Sequence, residues 1–130
     1  INDSYNASYE SMKASILNLK NMNGLRKIAV LGDMFELGEF SEELHREVGT
    51  EILKNKIDKL FLIGNYAKFI GKEAENEGYK KEDILYFENK EELLKYLKQN
   101  LQKGDVVLIK ASNGMKLFNI VESLKNEFYI

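Results

Sequence analysis

The sequence predicts an α/β domain, a three-layer Rossmann-like arrangement with a mostly parallel sheet and helices on both faces. Three observations point there: apolar runs of strand length, segments of helical period between them, and short connections. Taken in order, Ile1-Asn2-Asp3 reads as the end of a strand, and Tyr9–Leu19 places Met12, Ile16 and Leu19 on one helical face. Lys27–Leu31 is a strand, apolar at its centre as a buried parallel strand is. Ser41 is the expected N-cap of a helix carrying Leu44, Val48 and Ile52 at i, i+4, i+8. Lys59–Ile63 is a second strand, followed by a helix over Tyr66–Asn76 with Phe69, Ile70 and Ala74 inward and Gly78 as its stop. Ile84–Phe87 is a third strand, and Glu91–Leu101 stacks Leu94, Leu97 and Leu101. Asp105–Ile109 is the last strand, and Met115–Glu127 stacks Leu117, Val121 and Leu124. Alternation of this kind requires right-handed crossovers, and no linker or repeat interrupts it.

Composition narrows the class. A length of 130 residues favours one domain, and 44% apolar residues suffice for a core. With no cysteine, disulfides, thiolate zinc sites and cysteine nucleophiles are excluded. No apolar run approaches the ~20 residues that cross a bilayer. The 19 basic residues are scattered among 21 acidic ones, so neither a nucleic-acid stripe nor a basic membrane helix is expected. Residues 1–130 are read as a single domain, and the first residue, Ile1, suggests one cut from a longer chain. A cytoplasmic setting is expected.

In open parallel sheets, ligands bind beyond the carboxyl ends of the strands. Four loops fall there: Asp3-Ser4-Tyr5-Asn6-Ala7-Ser8, Gly32–Gly38, Gly64-Asn65-Tyr66 and Lys110–Gly114. They gather Asp3, Asn6, Asp33, Glu36, Lys110 and Ser112 on one edge, with glycines that let backbone approach a ligand. Any one of these loops also serves as a plain turn, and Ser8 as the N-cap of the helix from Tyr9.

Nucleotide signatures are missing. There is no GxGxxG, and Gly64…Gly71-Lys72-Glu73 has six intervening residues where a P-loop has four, and Glu where Ser or Thr holds magnesium. If ATP is bound, another domain supplies the phosphate cradle. The single histidine, His45, lies near Glu42, Glu43 and Glu47 and reads as a solvated helix residue or a structural one. It has no second metal ligand at a convincing spacing and no nucleophile elbow.

Together the loops are more specific. Asp3-Ser4-Tyr5-Asn6-Ala7-Ser8 with Ser11-Met12-Lys13-Ala14 resembles the DSYNANP-x-SM-x-A signature of one family. So do Leu31-Gly32-Asp33-Met34-x-Glu36-Leu37-Gly38 with Ser41-Glu42-Glu43-Leu44-His45-x-x-Val48-Gly49, and the ending Gly104–Met115. In that order they look like the C-terminal domain of the MurF-type Mur ligases, over essentially the whole chain. The sequence departs from the family pattern at Ser8, Tyr9, Ala111 and Asn113, where asparagine, proline, glycine and arginine are usual.

The resemblance implies the third domain of a three-domain cytoplasmic ligase of peptidoglycan synthesis, with the N-terminal and central ATPase domains outside this chain. Its partners would be ATP, D-alanyl-D-alanine and, through the other domains, UDP-N-acetylmuramoyl-tripeptide. ATP and Mg2+ would be held mainly by the central domain, and no metal by this one. On the same basis Asp3, Tyr5 and Asn6 would face the nucleotide. Asp33 and Glu36 would face the incoming amine, and Lys110 and Ser112 its carboxylate or a phosphate oxygen. No complete catalytic set is expected in this domain alone.

Two rivals from other classes remain at this point. A receiver-like phospho-acceptor domain would use Asp33 and Lys110, but it wants an acidic pair after its first strand and proline after the lysine, where Asn2-Asp3 offers one acid and Ala111 follows. A non-catalytic binding module is compatible with so common a fold. Within the ligases, a sister enzyme adding another amino acid is the alternative.

Overall fold

The computed structural model describes residues 8–112. Its elements are α1 (Tyr9–Asn21), β1 (Arg26–Gly32), α2 (Ser41–Lys54), β2 (Lys59–Ile63), α3 (Lys68–Asn76), β3 (Ile84–Phe87), α4 (Lys90–Asn100) and β4 (Asp105–Lys110). Single 3₁₀ turns at Gly38–Phe40 and Lys81–Asp83 precede α2 and β3. Among the described residues, the sheet has four parallel strands in the order β3-β2-β1-β4. The α/β class expected from the alternation is the one observed.

Period-two alternation divides the strands between two cores. Ala29, Leu31, Leu60, Leu62 and Leu108 point to one face, where Met12, Ile16, Leu19, Val48, Ile52, Ile70 and Ala74 cover them. Ile28, Val30, Phe61, Ile63 and Ile109 point to the other, against Leu93 and Leu97 of α4. Thus α1, α2 and α3 lie on one side and α4 on the other, as a change of winding direction requires. From β1 the chain steps outward to β2 and β3, then returns to place β4 on the far side of β1. The β1–β4 seam is therefore the switch point at which such sheets bind ligands.

Local chemistry explains the element ends. Ser8 and Ser11 form a reciprocal capping box at the start of α1, each side chain serving the other's main chain. At the end of α3, Gly78 takes φ +110°. This lets its N–H reach Glu75 and that of Tyr79 reach Ala74, the paired bonds of a Schellman stop. The Arg26 guanidinium grips Asp105 in two bonds of 2.9 and 2.7 Å, closing the amino edge of the β1–β4 seam.

Three expectations are corrected in detail. Ser41 is not an N-cap: the 3₁₀ turn runs directly into α2, so Ser41 already has helical φ −58° and ψ −52° and makes no capping bond. Helix α3 starts at Lys68 rather than Tyr66, because the Tyr66 and Ala67 carbonyls accept from three residues on, from Phe69 and Ile70, in tighter turns than an α-helix makes. On α4 the buried residues are Leu93 and Leu97, with Leu94 only partly covered. The helix expected over Met115–Glu127 lies outside the described residues.

Candidate functional site at the carboxyl edge of the sheet

Asp33 follows β1 and is 4% exposed. Its Oδ1 accepts the N–H of Tyr66 at 2.9 Å and of Ala67 at 2.7 Å, and its Oδ2 accepts that of Asn65 at 3.0 Å. The carboxylate thus caps the turn that follows β2. Gly64 makes this approach possible: it has φ +124°, and a Cβ there would stand 2.4 Å from Asp33 Oδ1. The carboxylate expected to face an incoming ammonium is thus already engaged within the domain. Its three main-chain donors come from residues 65–67, so it holds the loop after β2 against the loop after β1.

The next two residues are also tied. The Met34 N–H donates to His45 Nε2 at 3.0 Å, and the Phe35 N–H to Ser112 Oγ at 2.7 Å. Ser112 donates its own N–H to the Asp33 carbonyl at 2.9 Å. These two bonds cross the β1–β4 seam and fasten the end of β4 to the loop after β1. Three post-strand loops, after β1, β2 and β4, thereby become one unit centred on residues 33–35.

His45 is fully buried on α2, contrary to the solvated reading of its acidic neighbourhood. Its Nδ1 lies 2.6 Å from the Ser41 carbonyl, which accepts and so must face an N–H. Nε2 is then the acceptor that meets Met34, which makes the ring the neutral Nδ1-protonated tautomer. Tyr66 stacks on it with ring centroids 5.7 Å apart and planes 27° apart. Burial pushes the imidazole below its ordinary pKa, against smaller opposing effects of the Ser41 carbonyl and the Asp33 charge. The buried face of α2 runs Ser41, His45, Val48, Gly49, Ile52, so His45 keeps i+3 and i+7 spacing to the core. That spacing was the available signal.

Beyond the tied residues the loop bends outward. Glu36 is exposed and holds φ +62°, a left-handed conformation unusual for a residue with a Cβ, and Gly38 follows at φ +57°. Phe35, Phe40 and Tyr66, in the loops after β1 and β2, are 43%, 56% and 45% exposed. Lys110, opposite Leu31 at the end of β4, is 1% exposed. The structure thus brings Asp33, Glu36, Lys110 and Ser112 to the loops and strand end of one sheet edge. Asp3, Tyr5 and Asn6 lie outside the described residues. Among the described residues, no group of His, Asp and Glu is arranged to hold a metal, and no helix is long and apolar enough to cross a membrane.

Comparison with known proteins gives this edge a context. The chain is 44% identical over 125 residues to a UDP-N-acetylmuramoyl-tripeptide–D-alanyl-D-alanine ligase of Bacillus subtilis, covering 95% of the chain and 27% of that relative. It is 38% identical over 120 residues to the ligase of the same description from Rickettsia prowazekii, covering 92% and 26%. A crystal structure of MurF ligase from Thermotoga maritima in complex with ADP superposes with a TM-score of 0.79 at 34% identity. That match covers 98% of the chain and 28% of the other. The chain thus spans about a quarter of the length of the curated relatives it matches. The family model described as Mur ligase, glutamate ligase domain, matches residues 1–113, and the chain belongs to that family.

Proposed function

We propose that this chain is the C-terminal domain of a three-domain, ATP-dependent cytoplasmic ligase that joins D-alanyl-D-alanine to UDP-N-acetylmuramoyl-tripeptide in peptidoglycan precursor synthesis. The observation that carries the reading is the 44% identity to a ligase of that description across nearly the whole chain. The ADP complex of the Thermotoga neighbour supports nucleotide binding by the family.

In this reading the γ-phosphoryl group of ATP passes to the tripeptide carboxylate, giving an acyl phosphate and ADP. The amine of the dipeptide then attacks the acyl carbon. The tetrahedral adduct expels phosphate, the amide forms, and the amine loses its proton. Magnesium, held mainly by the central domain, would neutralise the phosphate oxygens during transfer. The acyl phosphate is vulnerable to water, so a domain that closes last protects it.

This domain's own share is positioning. Glu36, at the exposed tip of the loop after β1, orients the incoming ammonium. Asp33 acts one step back, holding the loop after β2 in place beneath it. Ser112 locks the end of β4 to the same loop, and Lys110 supplies positive charge near the seam for a carboxylate or phosphate oxygen. Asp3, Tyr5 and Asn6, next to the join with the central domain, would face the nucleotide.

The test is phosphate release by the full-length protein that carries this domain. Release from ATP that requires both the UDP-linked tripeptide and D-alanyl-D-alanine is expected. Release that ignores the dipeptide, from active protein, would contradict the reading and favour a sister ligase.

A further inference from the structure

We propose that His45 is a positioning residue for the dipeptide: in its neutral form it helps to fix the loop that carries Glu36, and on protonation it loosens that loop. The inference rests on the ligase reading above and adds a residue and a proton dependence to it.

The geometry carries the argument. His45 reaches out of α2 to touch the loop after β1 through a single bond, the Met34 N–H on Nε2. Met34 stands two residues before Glu36. Its neighbours Asp33 and Phe35 are held by Ser112, so the His45 bond is the one main-chain tie among these three that comes from α2. The opposite nitrogen is committed to the carbonyl of Ser41, whose own N–H closes the turn leading into α2 on the Gly38 carbonyl. One ring therefore spans both ends of the loop from residue 34 to residue 41.

Protonation cannot be accommodated in this arrangement. A second proton on Nε2 would point one N–H at another, with no acceptor between them. The bond to Met34 is then lost, and of its main-chain ties the segment before Glu36 keeps only those to Ser112. The titratable groups facing the ring from neighbouring loops are Asp33 and Tyr66. Asp33 favours the cation through its charge, while Tyr66 stacks on the ring. Burial outweighs the Asp33 charge, so the neutral form prevails around neutrality.

The sign follows. A group with a depressed folded pKa supports the tied state above its ordinary pKa, about 6.5 for histidine, and withdraws that support as pH falls below it. Use of the dipeptide should therefore weaken on the acid side, while use of ATP does not. The dipeptide amine also titrates and contributes a limb of its own, common to every variant.

The experiment compares the full-length wild type with His45→Gln, whose carbonyl can accept the Met34 N–H but does not titrate. Values of kcat/KM for D-alanyl-D-alanine and for ATP are measured from pH 5 to 8. The wild type is expected to show an added acid limb for the dipeptide, falling about tenfold per pH unit once His45 is protonated. His45→Gln should lack that added limb, and the ATP profiles should coincide. His45→Ala should raise KM for the dipeptide about tenfold or more at pH 7.5, with KM for ATP unchanged. A second readout needs no variant: in the wild type, hydrogen exchange of the segment spanning residues 33–40, corrected for intrinsic rate, should accelerate as pH falls through and below the ordinary histidine range. Superimposable dipeptide profiles, or exchange that does not change with pH, would overturn the role of His45 and leave the ligase reading intact. Absence of dipeptide-dependent phosphate release from the wild type would remove both.

Discussion

Replacing Asp33 with alanine is expected to destabilise the domain by about 3 kcal/mol and to abolish dipeptide use in the full-length enzyme. The carboxylate receives three main-chain N–H groups from residues 65–67, at 2.7 to 3.0 Å. Alanine removes all three acceptors at once and leaves a small void at a site only 4% exposed. Each orphaned buried donor costs about 1–3 kcal/mol, and water can recover part of this at Asn65 and Tyr66, whose bonds are only partly buried. Ala67, whose bond is buried, has no such recourse. Asp33→Asn separates the two effects. Its carbonyl can still serve Tyr66 and Ala67, but its amide would oppose the Asn65 N–H, so about half the loss is expected. Thermal denaturation of both variants checks this, with kinetics on the full-length protein. If Asp33→Ala melts like the wild type and loses only dipeptide affinity, the carboxylate serves the ligand directly.

The second large effect concerns the contact that seats α2. A Cβ added at Gly49 would lie 2.3 Å from the Ile70 carbonyl oxygen and 3.0 Å from the Ala74 nitrogen. Both are backbone atoms of α3, so no side chain can swing aside. Two terms compete in Gly49→Ala. Alanine gains about 1 kcal/mol of helix propensity over glycine, and forced separation of two packed helices costs about 3 kcal/mol or more. The overlap is with backbone, so the packing cost wins and a net loss of about 2 kcal/mol is expected. Because α2 also carries His45, the variant should loosen the loop at Met34 as well. Urea denaturation of Gly49→Ala reads the balance directly, and a gain in stability would mean that the helices stand further apart than described.

Asp33 also illustrates which parts were legible from sequence. The strands Lys59–Ile63 and Ile84–Phe87 were readable at both ends, because apolar runs and their polar flanks are local properties. Ser8 was readable as a cap for the same reason: its partner, Ser11, is three residues away. Asp33 was marked by its place after a strand, but not by its acceptor role, since its donors lie more than thirty residues further along. The start of α3 was placed two residues early because the tight i→i+3 turns at Tyr66 and Ala67 share the apolar period of the helix they lead into. His45 left a solvated and a structural reading open because three glutamates surround it in sequence, and helical register with Val48 and Ile52 favours the structural one observed. Long-range polar contacts leave little trace in local pattern, and this site is assembled from them.

The left-handed Glu36 provides the most direct test of the claim that this edge presents the dipeptide. In Glu36→Gly, relief of a conformation at φ +62° offsets the greater flexibility of glycine in the unfolded chain, terms of about 1 kcal/mol each. Stability should therefore change little, while the carboxylate is lost. The measurement is KM for D-alanyl-D-alanine and for ATP in the full-length enzyme, alongside the melting temperature. A dipeptide KM raised about tenfold or more, with ATP KM and melting unchanged, is the predicted result. An unchanged dipeptide KM would contradict the assignment of this loop to the incoming amine.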